Sequence, residues 1–397
     1  MSERVSVREL ATEELPEAWE LARRAFGASA TPPPGVLAPA PGVTRYGAFD
    51  QAGRLVGRAS ELHHQQWWGG RMLSAADVGS LAVAPEARGR GVSRALLRAV
   101  LEGGRDRGAA VSALFPTASA VYQSAGWATV GAMRSVDVAT AVLPRYRPGR
   151  VLAVRAGAAA DVVAARELYT RIARSRNGML SRSGPPFAQP SDRFDDGVDG
   201  LTVVEDGEAI VGFASWRRGA GYGPDAVLQV DDLVATTAQA ARELIGILAT
   251  WRSVTPTVRF RALPSGVVSD TLPLESAKEH AVARWMHRPV DVARAVSGRT
   301  WPVWLRAGMT FSVLDELATW NDGTWALEIA EGQGRLERCT TPCGVRLRAA
   351  GFALLYCGVA SPAMLVEGGL LEFGSTDDLT ALEALMAAPP PELLDYF

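Results

Sequence analysis

The sequence has 397 residues, of which 48% are hydrophobic and 21% charged, and its 41 basic residues nearly balance 43 acidic ones. This length exceeds what one hydrophobic core accommodates and predicts two or three domains. The net charge of −2 gives no strong field toward nucleic acid or an anionic membrane. The N-terminus carries charges where a signal peptide needs an apolar run, and no stretch approaches the ~20 apolar residues of a membrane span. We therefore expect a soluble, cytoplasmic protein with no nucleic-acid partner and no membrane insertion.

Cysteine usage fits that compartment. The cysteines are Cys339, Cys343 and Cys357, an odd and sparse set that argues against a disulfide framework. Cys339 and Cys343 have the spacing of half a zinc site. No second cysteine pair accompanies them and the four histidines are far away in sequence, so we expect no metal.

The first region alternates strands and helices. Val5 and Val7 alternate with polar neighbours as in a strand, and Thr12 is predicted to cap the following helix. The apolar face of that helix consists of Leu15, Trp19, Ala22 and Phe26. A loop rich in Pro and Ala spans residues 30 to 42, and a β-hairpin then turns at 50–53.

A strand–loop–helix unit follows. The strand covers residues 78 to 83, and the helix is predicted to end at Gly103 and Gly104. A short buried strand at 109–114, a short helix near 117–125 and strands to about residue 139 complete the region. The stretch 143–150 indicates a linker.

The second region repeats this order. Residues 201 to 213 predict a hairpin, and a strand at 228–234 precedes an Ala-rich helix. This pattern indicates a degenerate internal duplication. The second copy has Ala235-Thr-Thr-Ala-Gln239 in place of the Arg/Gly loop and therefore lacks its phosphate-binding chemistry. From Pro289 a mixed α+β region begins, in which 290–295 predict an entry strand or turn and 321–323 a hairpin turn.

The strand–loop–helix unit carries the strongest chemical signal. Residues 81 to 97 read LAVAPEARGRGVSRALL. Unsatisfied backbone N–H groups at a helix start bind anions, aided by the helix dipole. Gly89 and Gly91 allow a pyrophosphate to approach the backbone, and arginines add charge-assisted hydrogen bonds. The strand can offer open backbone groups to an extended, amide-rich ligand. Coenzyme A has both parts, although the loop alone is equally typical of an ordinary strand–turn–helix.

This order resembles the GNAT acetyltransferase superfamily, whose acetyl-CoA loop reads Arg/Gln-x-x-Gly-x-Gly/Ala. The loop here reads Arg88-Gly-Arg-Gly91-Val-Ser93, with serine at the last position. With the later SAVYQSAGW at 119–127, the degenerate second copy and the aromatic C-terminus, the chain resembles the enhanced intracellular survival (Eis) family over its whole length. The resemblance implies acetylation of amines, which in some members include aminoglycosides.

The resemblance also implies site residues. Acetyl-CoA is the expected cosubstrate, bound by Leu81, Ala82, Val83, Arg88, Gly89, Arg90, Gly91, Val92, Ser93, Arg94, Thr117 and Ala118. In GNAT enzymes a tyrosine at the position of Tyr122 faces the CoA sulfur. A phenol, with a pKa of about 10, is a suitable donor to the departing thiolate, so Tyr122 is the expected general acid. The backbone N–H of Val83 is the expected oxyanion donor.

Eis-like enzymes are described as using their own C-terminal carboxylate as the base, which is that of Phe397 here. A loose tail is the alternative, although Leu393, Leu394, Tyr396 and Phe397 are large apolar groups. His63 and His64 are further candidate bases, of which at most one can face a cleft if both lie in a strand. Aromatic side chains that could line an amine pocket are Trp67, Trp68 and Phe115.

We thus expect an α/β and α+β chain of three domains: a GNAT domain (1–145), a degenerate GNAT-like domain (150–288) and a sterol-carrier-protein-like domain (289–397), in a homo-oligomer. Acetyl would pass directly to a primary amine, because no cysteine near the motif can carry an acyl group. The acceptor is open: an aminoglycoside, a metabolite amine, or a lysine of a peptide or protein. An aminoglycoside pocket needs carboxylates, but none follows Phe26, Ser80 stands where an aromatic is expected, and Tyr396 where an acid would help. A carrier of apolar ligands, with the run 351–356, and a CoA-binding regulator without turnover are the alternatives.

Overall fold

The computed structural model describes residues 5–33, 35–144, 152–187, 198–374 and 376–397. Most of the predicted linker 143–150 lies outside these residues. The strands of the first region are β1 Ser6–Glu9, β2 Val43–Phe49, β3 Leu55–Leu62, β4 Gln65–Trp68, β5 Arg71–Ser74, β6 Asp77–Val83, β7 Val111–Leu114 and β8 Ala128–Ala139. Its helices are α1 Leu15–Phe26, α2 Val92–Asp106 and α3 Ser119–Gln123.

The first four-stranded sheet has the order β1-β2-β3-β6, with every neighbouring pair antiparallel. Helix α2 packs against this sheet and has a fully buried apolar face made of Leu96, Leu97, Val100 and Leu101. Burial of each such side chain contributes about 1.5–3 kcal/mol to folding. This helix therefore holds its N-terminal loop in a fixed place over the end of β6.

Two predicted helix ends in this region are wrong. Helix α2 continues past Gly103 and Gly104 to Asp106. A Cβ at Gly104 would collide with the side chain of Ala76, and one at Gly103 with the hydroxyl of Tyr46. The glycines thus serve close packing rather than termination. Thr12 does not cap α1: it lies in a 3-10 turn (Thr12–Glu14), and the Glu14 carboxylate accepts the backbone N–H of Ala11 at 2.8 Å.

The strands of the second region are β9 Ala153–Ala156, β10 Gly200–Asp206, β11 Ala209–Arg217, β12 Val227–Ala235, β13 Thr257–Ala262 and β14 Lys278–Pro289. Its helices are α4 Asp161–Arg174 and α5 Ala238–Leu248. An eight-stranded sheet follows the order β7-β14-β8-β13-β12-β11-β10-β9. The last strand of each copy therefore lies in the other copy's half of the sheet: β8 pairs with β13, β14 pairs with β7, and the two pair with each other.

The internal duplication is visible in the strand pairing. In each copy an antiparallel pair (β3–β6 or β11–β12) carries a β-bulge, a helix follows, and the next strand is parallel to the bulged one. The two halves are joined by the exchanged strands, so sequence boundaries at 145 and 150 do not separate two sheets. Those boundaries stay predictions.

The strands of the third region are β15 Ala307–Leu314, β16 Gly323–Ala330, β17 Gln333–Arg338, β18 Arg346–Arg348 and β19 Leu371–Glu372. Its helices are α6 Val292–Gly298, α7 Ala349–Tyr356, α8 Pro362–Glu367 and α9 Thr376–Leu382. The sheet order is β17-β16-β15-β18-β19, and β15 and β16 form the predicted hairpin before Gly323. The entry strand expected at 290–295 is instead helix α6, because the Asp291 carboxylate caps it by accepting the N–H of Arg294 at 2.9 Å. The apolar run 351–356 is helix α7.

The third region is tied to the first by a buried ion pair. The Arg288 guanidinium, at the end of β14, donates to the Asp315 carboxylate and to the main-chain carbonyl of Ala125. Both charged side chains are almost fully buried. Ala125 also donates its N–H to the carbonyl of Tyr122 at 3.0 Å, so this pair fixes the turn that follows α3. Within the described ranges, no helix is both long and apolar enough to cross a membrane.

Candidate active site

The cleft of the first copy opens where two neighbouring strands diverge. Ala75 and Val111 form a single parallel bridge, and the N–H of Ala76 donates to the carbonyl of Val111 at 2.9 Å. The next contact is made by a side chain: the carboxylate of Asp77 accepts the N–H of Ala113 at 2.6 Å. From there β6 and β7 belong to different sheets. The opening between them exposes strand edges to a ligand.

A cleft of 620 Å³ fills this opening. It is lined by Ala25, Phe26, Leu81, Ala82, Val83, Ala87, Arg88, Gly89, Gly91, Val92, Ser93, Thr117, Ala118, Val121 and Tyr122. The structure thus brings together all the residues expected to bind the cofactor except Arg90 and Arg94, and it adds the expected acid Tyr122. The end of α1 contributes a wall that the sequence pattern assigned to the core, since Phe26 is 47% exposed.

The loop at the start of α2 has the geometry of an anion site. Gly89 and Gly91 have φ values of +74° and +80°, which residues with a Cβ rarely adopt. Gly91 is the N-cap of α2, and no side chain caps the helix there. A Cβ on either glycine would meet open space. The first N–H groups of α2 are therefore available to a phosphate group, as the helix dipole favours.

The three loop arginines point in different directions. The Nε of Arg88 lies 3.4 Å from the carbonyl of Val83, at the cleft. Arg90 lines a separate depression beside Asp50. Arg94 donates to the carbonyl of Ser124 at 3.3 Å and lies 3.3 Å from the Glu316 carboxylate. Of the three arginines, Arg88 lines the cleft, together with the backbone of Gly89 and Gly91.

The backbone of Val83 faces the cleft. Ala84 donates its N–H to the carbonyl of Val56 at 2.9 Å, and Val83 stands opposite Gly57. Neighbouring residues in an antiparallel pair alternate between bonding the partner and facing away from it. Val83 therefore directs its N–H and carbonyl away from β3, which matches the contact of its carbonyl with Arg88 and leaves its N–H open to a ligand.

Tyr122 lines the same cleft as the two glycines and lies on the short helix α3. Its side chain is buried, and burial raises the pKa of its hydroxyl to about 12. The group therefore stays protonated across neutral pH and can donate a proton. Tyr122 lines the cleft together with Thr117, Ala118 and Val121, from the segment that follows β7.

The ring of Phe397 is not among the residues that line this cleft, and it packs against two other aromatic rings near the end of β7. Its centroid lies 4.9 Å from that of His64 and 5.4 Å from that of Phe115, both edge to face. The ring of Tyr396 is tilted by 34° relative to that of Phe115, with the two centroids 4.5 Å apart. Phe115 directly follows β7, two residues before Thr117. The C-terminal aromatic residues are thus placed at the end of β7, shortly before Thr117, which lines the cleft.

The two adjacent histidines differ, and neither lies in a strand, because the chain bends between β3 and β4. His64 is buried, and its Nδ1 lies 2.9 Å from the Asp77 carboxylate. An ionised Asp77 can only accept, so the hydrogen bond places a proton on Nδ1, and in the neutral imidazole Nε2 then has the lone pair. His63 instead has its Nε2 3.0 Å from the Thr44 hydroxyl, and desolvation lowers its pKa. His64, oriented by Asp77, is the better placed of the two.

Sequence reasoning missed Asp77, which lies on β6 and links the cleft opening to His64. A buried acid at a strand start was the available signal, but its partners come from residues far along the chain. The tryptophans offered for an amine pocket lie elsewhere. Trp68 is fully buried between His287 and Tyr356, and Arg174 stacks over Trp67.

The cysteines Cys339, Cys343 and Cys357 are not among the residues that line the cleft. Cys357 is buried, with its Sγ 3.4 Å from Nδ1 of His287. Ser312 lies 3.3 Å from Cys343. Among residues 5–33, 35–144, 152–187, 198–374 and 376–397, no three His, Cys, Asp or Glu side chains are grouped to hold a metal ion.

Each of the three regions matches a known domain family. Two acetyltransferase (GNAT) domain families match residues 6–130 and 178–294, and a sterol carrier protein domain family matches residues 292–393. An uncharacterized N-acetyltransferase of Streptomyces avermitilis is 28% identical over 291 residues, which is 67% of each chain. These matches define the class of protein: the chain is an acyltransferase of the GNAT superfamily.

Solved structures extend the likeness to the whole chain. A GCN5-related N-acetyltransferase from Kribbella flavida is 27% identical, covers 100% of this chain and 99% of its own, and has a TM-score of 0.82. Eis1 from Mycobacterium abscessus is 22% identical, covers 99% of this chain and 100% of its own, and has a TM-score of 0.76. The chain thus has two GNAT domains followed by a sterol carrier protein domain, and it shares the fold of Eis1.

Proposed function

We propose that this chain transfers acetyl from acetyl-CoA directly to a primary amine. The observation that carries the proposal is the continuous cleft of 620 Å³ that joins the open N-terminus of α2 to Tyr122. The glycine backbone and Arg88 would hold the pyrophosphate, and the exposed edge of β6 would bind the pantetheine arm. The thioester then lies between Val83 and Tyr122.

The proposed reaction has one tetrahedral intermediate. The amine nitrogen attacks the thioester carbonyl carbon, and the N–H of Val83 stabilises the oxyanion. The C–S bond then breaks, and the thiolate takes the hydroxyl proton of Tyr122. The amine loses its own proton to a base, and a proton from solvent restores the Tyr122 hydroxyl. In the described residues no cysteine lines the cleft, which supports direct transfer without an acyl-enzyme.

We propose the α-carboxylate of Phe397, the last residue of the sequence, as the base. The position of its ring against His64 and Phe115 supports this assignment. An α-carboxylate has a pKa of about 3.5 in water, so a dry site or a bridging water would be needed for it to accept a proton. His64, oriented by Asp77, is the competing base.

The observations favour turnover over the alternatives. The apolar run 351–356 was the sequence feature that suggested a carrier of apolar ligands. Its residues Phe352, Leu355 and Tyr356 are fully buried in the core of the third region. They are unavailable to line a ligand cavity. A regulator that only binds CoA needs no acid beside the thioester, whereas Tyr122 faces the cleft.

The test is thiol release from acetyl-CoA in the presence of a simple primary amine, together with calorimetry of CoA binding. Enzymatic release that requires both the amine and the protein is the expected result. CoA binding without amine-dependent release would instead identify a regulator, and no CoA binding would overturn the proposal altogether.

A further inference from the structure

The second copy has a cleft at the position equivalent to the active-site cleft. Strands β12 and β13 pair in parallel from Val227–Thr257 to Val230–Phe260 and then diverge, as β6 and β7 do. A depression of 180 Å³ lies at the split, lined by the end of β12 and by the residues that follow β13. The equivalent segments line the active-site cleft of the first copy.

The helix start at this second cleft is capped by a side chain. Thr237 is the N-cap of α5, and its hydroxyl accepts the N–H of Ala240 at 3.1 Å. The N-cap of α2 is Gly91, which has no side chain to take that role. The second copy therefore satisfies with its own side chain a donor that the first copy leaves open.

The chain's own tail lies across the second cleft instead. The side chain of Leu394 lines it and packs in the core of the second copy. The carbonyl of Leu394 accepts from Nη1 of Arg261, at the end of β13, at 3.2 Å. Upstream, the N–H of Glu392 donates to the carbonyl of Asn177 at 2.8 Å, and the amide of Asn177 donates to the carbonyl of Pro389 at 2.8 Å.

Two charged groups of the tail are matched by arginines of the second copy. The Glu392 carboxylate pairs with Arg176 and accepts the Ser265 hydroxyl at 2.9 Å. The Asp395 carboxylate lies 2.9 Å from Nε of Arg182 and 3.1 Å from the hydroxyl of Tyr169. These ion pairs are largely buried, so their loss would leave charges unmatched.

Arg182 connects the tail to the sheet. Its terminal nitrogens donate to both oxygens of Asp232, on β12, at 2.7 and 3.0 Å. Its backbone has a φ of +51°, an uncommon conformation for a residue with a side chain. The fork geometry of a guanidinium fixes both carboxylates in one plane. The direction in which Asp395 leaves the groove is therefore set by a strand of the second copy.

We propose that the second GNAT-like domain uses its cleft as a peptide-binding groove for residues 389–395 of the same chain, and that this binding positions Phe397 at the acetyl-transfer site of the first domain. The domain thus has a role without a cofactor: it carries the tail to the neighbouring cleft. The positional part of this inference rests on the proposed function of Phe397.

The experiment compares isosteric variants of the tail with a matched control. Asp395→Asn and Glu392→Gln keep the shape and remove the charge that Arg182 and Arg176 meet. The control is Asp161→Asn, which removes a carboxylate charge that Arg155 of the same copy meets with two hydrogen bonds and does not touch the tail. The readouts are hydrogen exchange of the tail by mass spectrometry, kcat for amine acetylation, and CoA affinity.

The tail variants are expected to exchange faster at residues 389–397 and to lose kcat on the order of 10²-fold, since small misplacement of a reacting group costs this much. CoA affinity should be unchanged, and the control should match the wild type in all readouts. The double variant Arg176→Glu with Glu392→Arg should recover part of what Glu392→Arg alone loses.

The outcomes separate the two inferences. Unchanged exchange in both tail variants would overturn the groove. Faster exchange with wild-type kcat would retain the groove and refute Phe397 as the base. Loss of kcat with unchanged exchange would also contradict the groove, because the effect would not pass through the tail.

Discussion

The carboxylate of Asp77 accepts the backbone N–H of Ala113 at 2.6 Å, at the point where β6 and β7 separate. The Asp77 side chain thus replaces the next backbone hydrogen bond between the two strands, and beyond this point β6 and β7 diverge. The same carboxylate holds Nδ1 of His64 at 2.9 Å. The opening of the cleft and the orientation of this histidine therefore depend on one buried acid.

The first prediction concerns the phosphate loop. Gly91→Asp places a carboxylate at the open N-terminus of α2, where it competes with and repels a pyrophosphate. CoA affinity measured by calorimetry should fall by orders of magnitude. Gly108→Asp is the control, because Gly108 also has a positive φ of +86° with open space around it, at the other end of α2. If both variants bind CoA like the wild type, the loop is not the phosphate site.

The sequence predicted this loop well, because its signal is local: a strand, two glycines and an amphipathic helix in order. It did not predict which strands pair. The exchange of β8 and β14 between the copies depends on contacts between residues more than a hundred positions apart, such as Gly131 with Trp285. The anchoring of Asp395 by Arg182 was missed for the same reason. The prediction from local propensity also failed at 290–295, where the N-cap residue Asp291 stabilises a helix in place of the expected strand or turn.

The second prediction concerns the general acid. Tyr122→Phe keeps the ring and removes the proton donor, so kcat should fall about 10²–10⁴-fold, the range for general acid catalysis, at unchanged CoA affinity. Tyr46→Phe is the matched control. Tyr46 is also buried with a pKa raised to about 12, but its hydroxyl faces Glu61, outside the cleft. Equal activity of the two variants would assign Tyr122 to packing.

Tyr122 also predicts an alkaline effect on stability. Burial raises its pKa from the ordinary 10.0 to about 12, so the folded chain binds this proton more tightly than the unfolded chain. The resulting stabilisation is complete below pH 10 and disappears as the pH rises to about 12, an effect of about 2–3 kcal/mol. Denaturant unfolding should therefore show a smaller loss across this interval for Tyr122→Phe than for the wild type. Equal losses would contradict the buried hydroxyl.

The third prediction separates the two candidate bases. Asp77→Asn can still accept the N–H of Ala113, but its amide donates toward Nδ1 of His64 and so moves the histidine proton to Nε2. If His64 were the base, kcat should fall by about 10⁴-fold, as when the orienting acid of a catalytic histidine is lost. With the Phe397 carboxylate as base we expect kcat to keep most of its value, because no proton passes through His64. Thermal unfolding would verify that the variant is folded before its pH–rate profile is interpreted.

The fourth prediction concerns the acceptor. The acidic side chains of the tail nearest to Phe397 already form ion pairs, Asp395 with Arg182 and Glu392 with Arg176. Multiple ammonium groups of an aminoglycoside would find these carboxylates neutralised. Small amines and lysine-bearing peptides should therefore be acetylated at least as well as kanamycin-type polyamines, measured as kcat/KM by thiol release. Strong turnover of the polyamines alone would contradict this.

The last prediction tests whether the terminal carboxylate itself takes the amine proton. Adding residues after Phe397 converts that carboxylate into an amide, which cannot accept a proton at neutral pH, and places bulk beside His64 and Phe115. A C-terminally extended protein should fold and bind CoA but have little activity, whereas one extended at the N-terminus should be active. Deletion of Phe397 moves the carboxylate back by about 3.3–3.6 Å along an extended chain and removes the ring that packs on His64, so most of the rate should be lost as well. A tail without a catalytic role predicts equal kcat for all three proteins. Equal rates would transfer the role of base to His64, whose Nδ1 lies 2.9 Å from the Asp77 carboxylate.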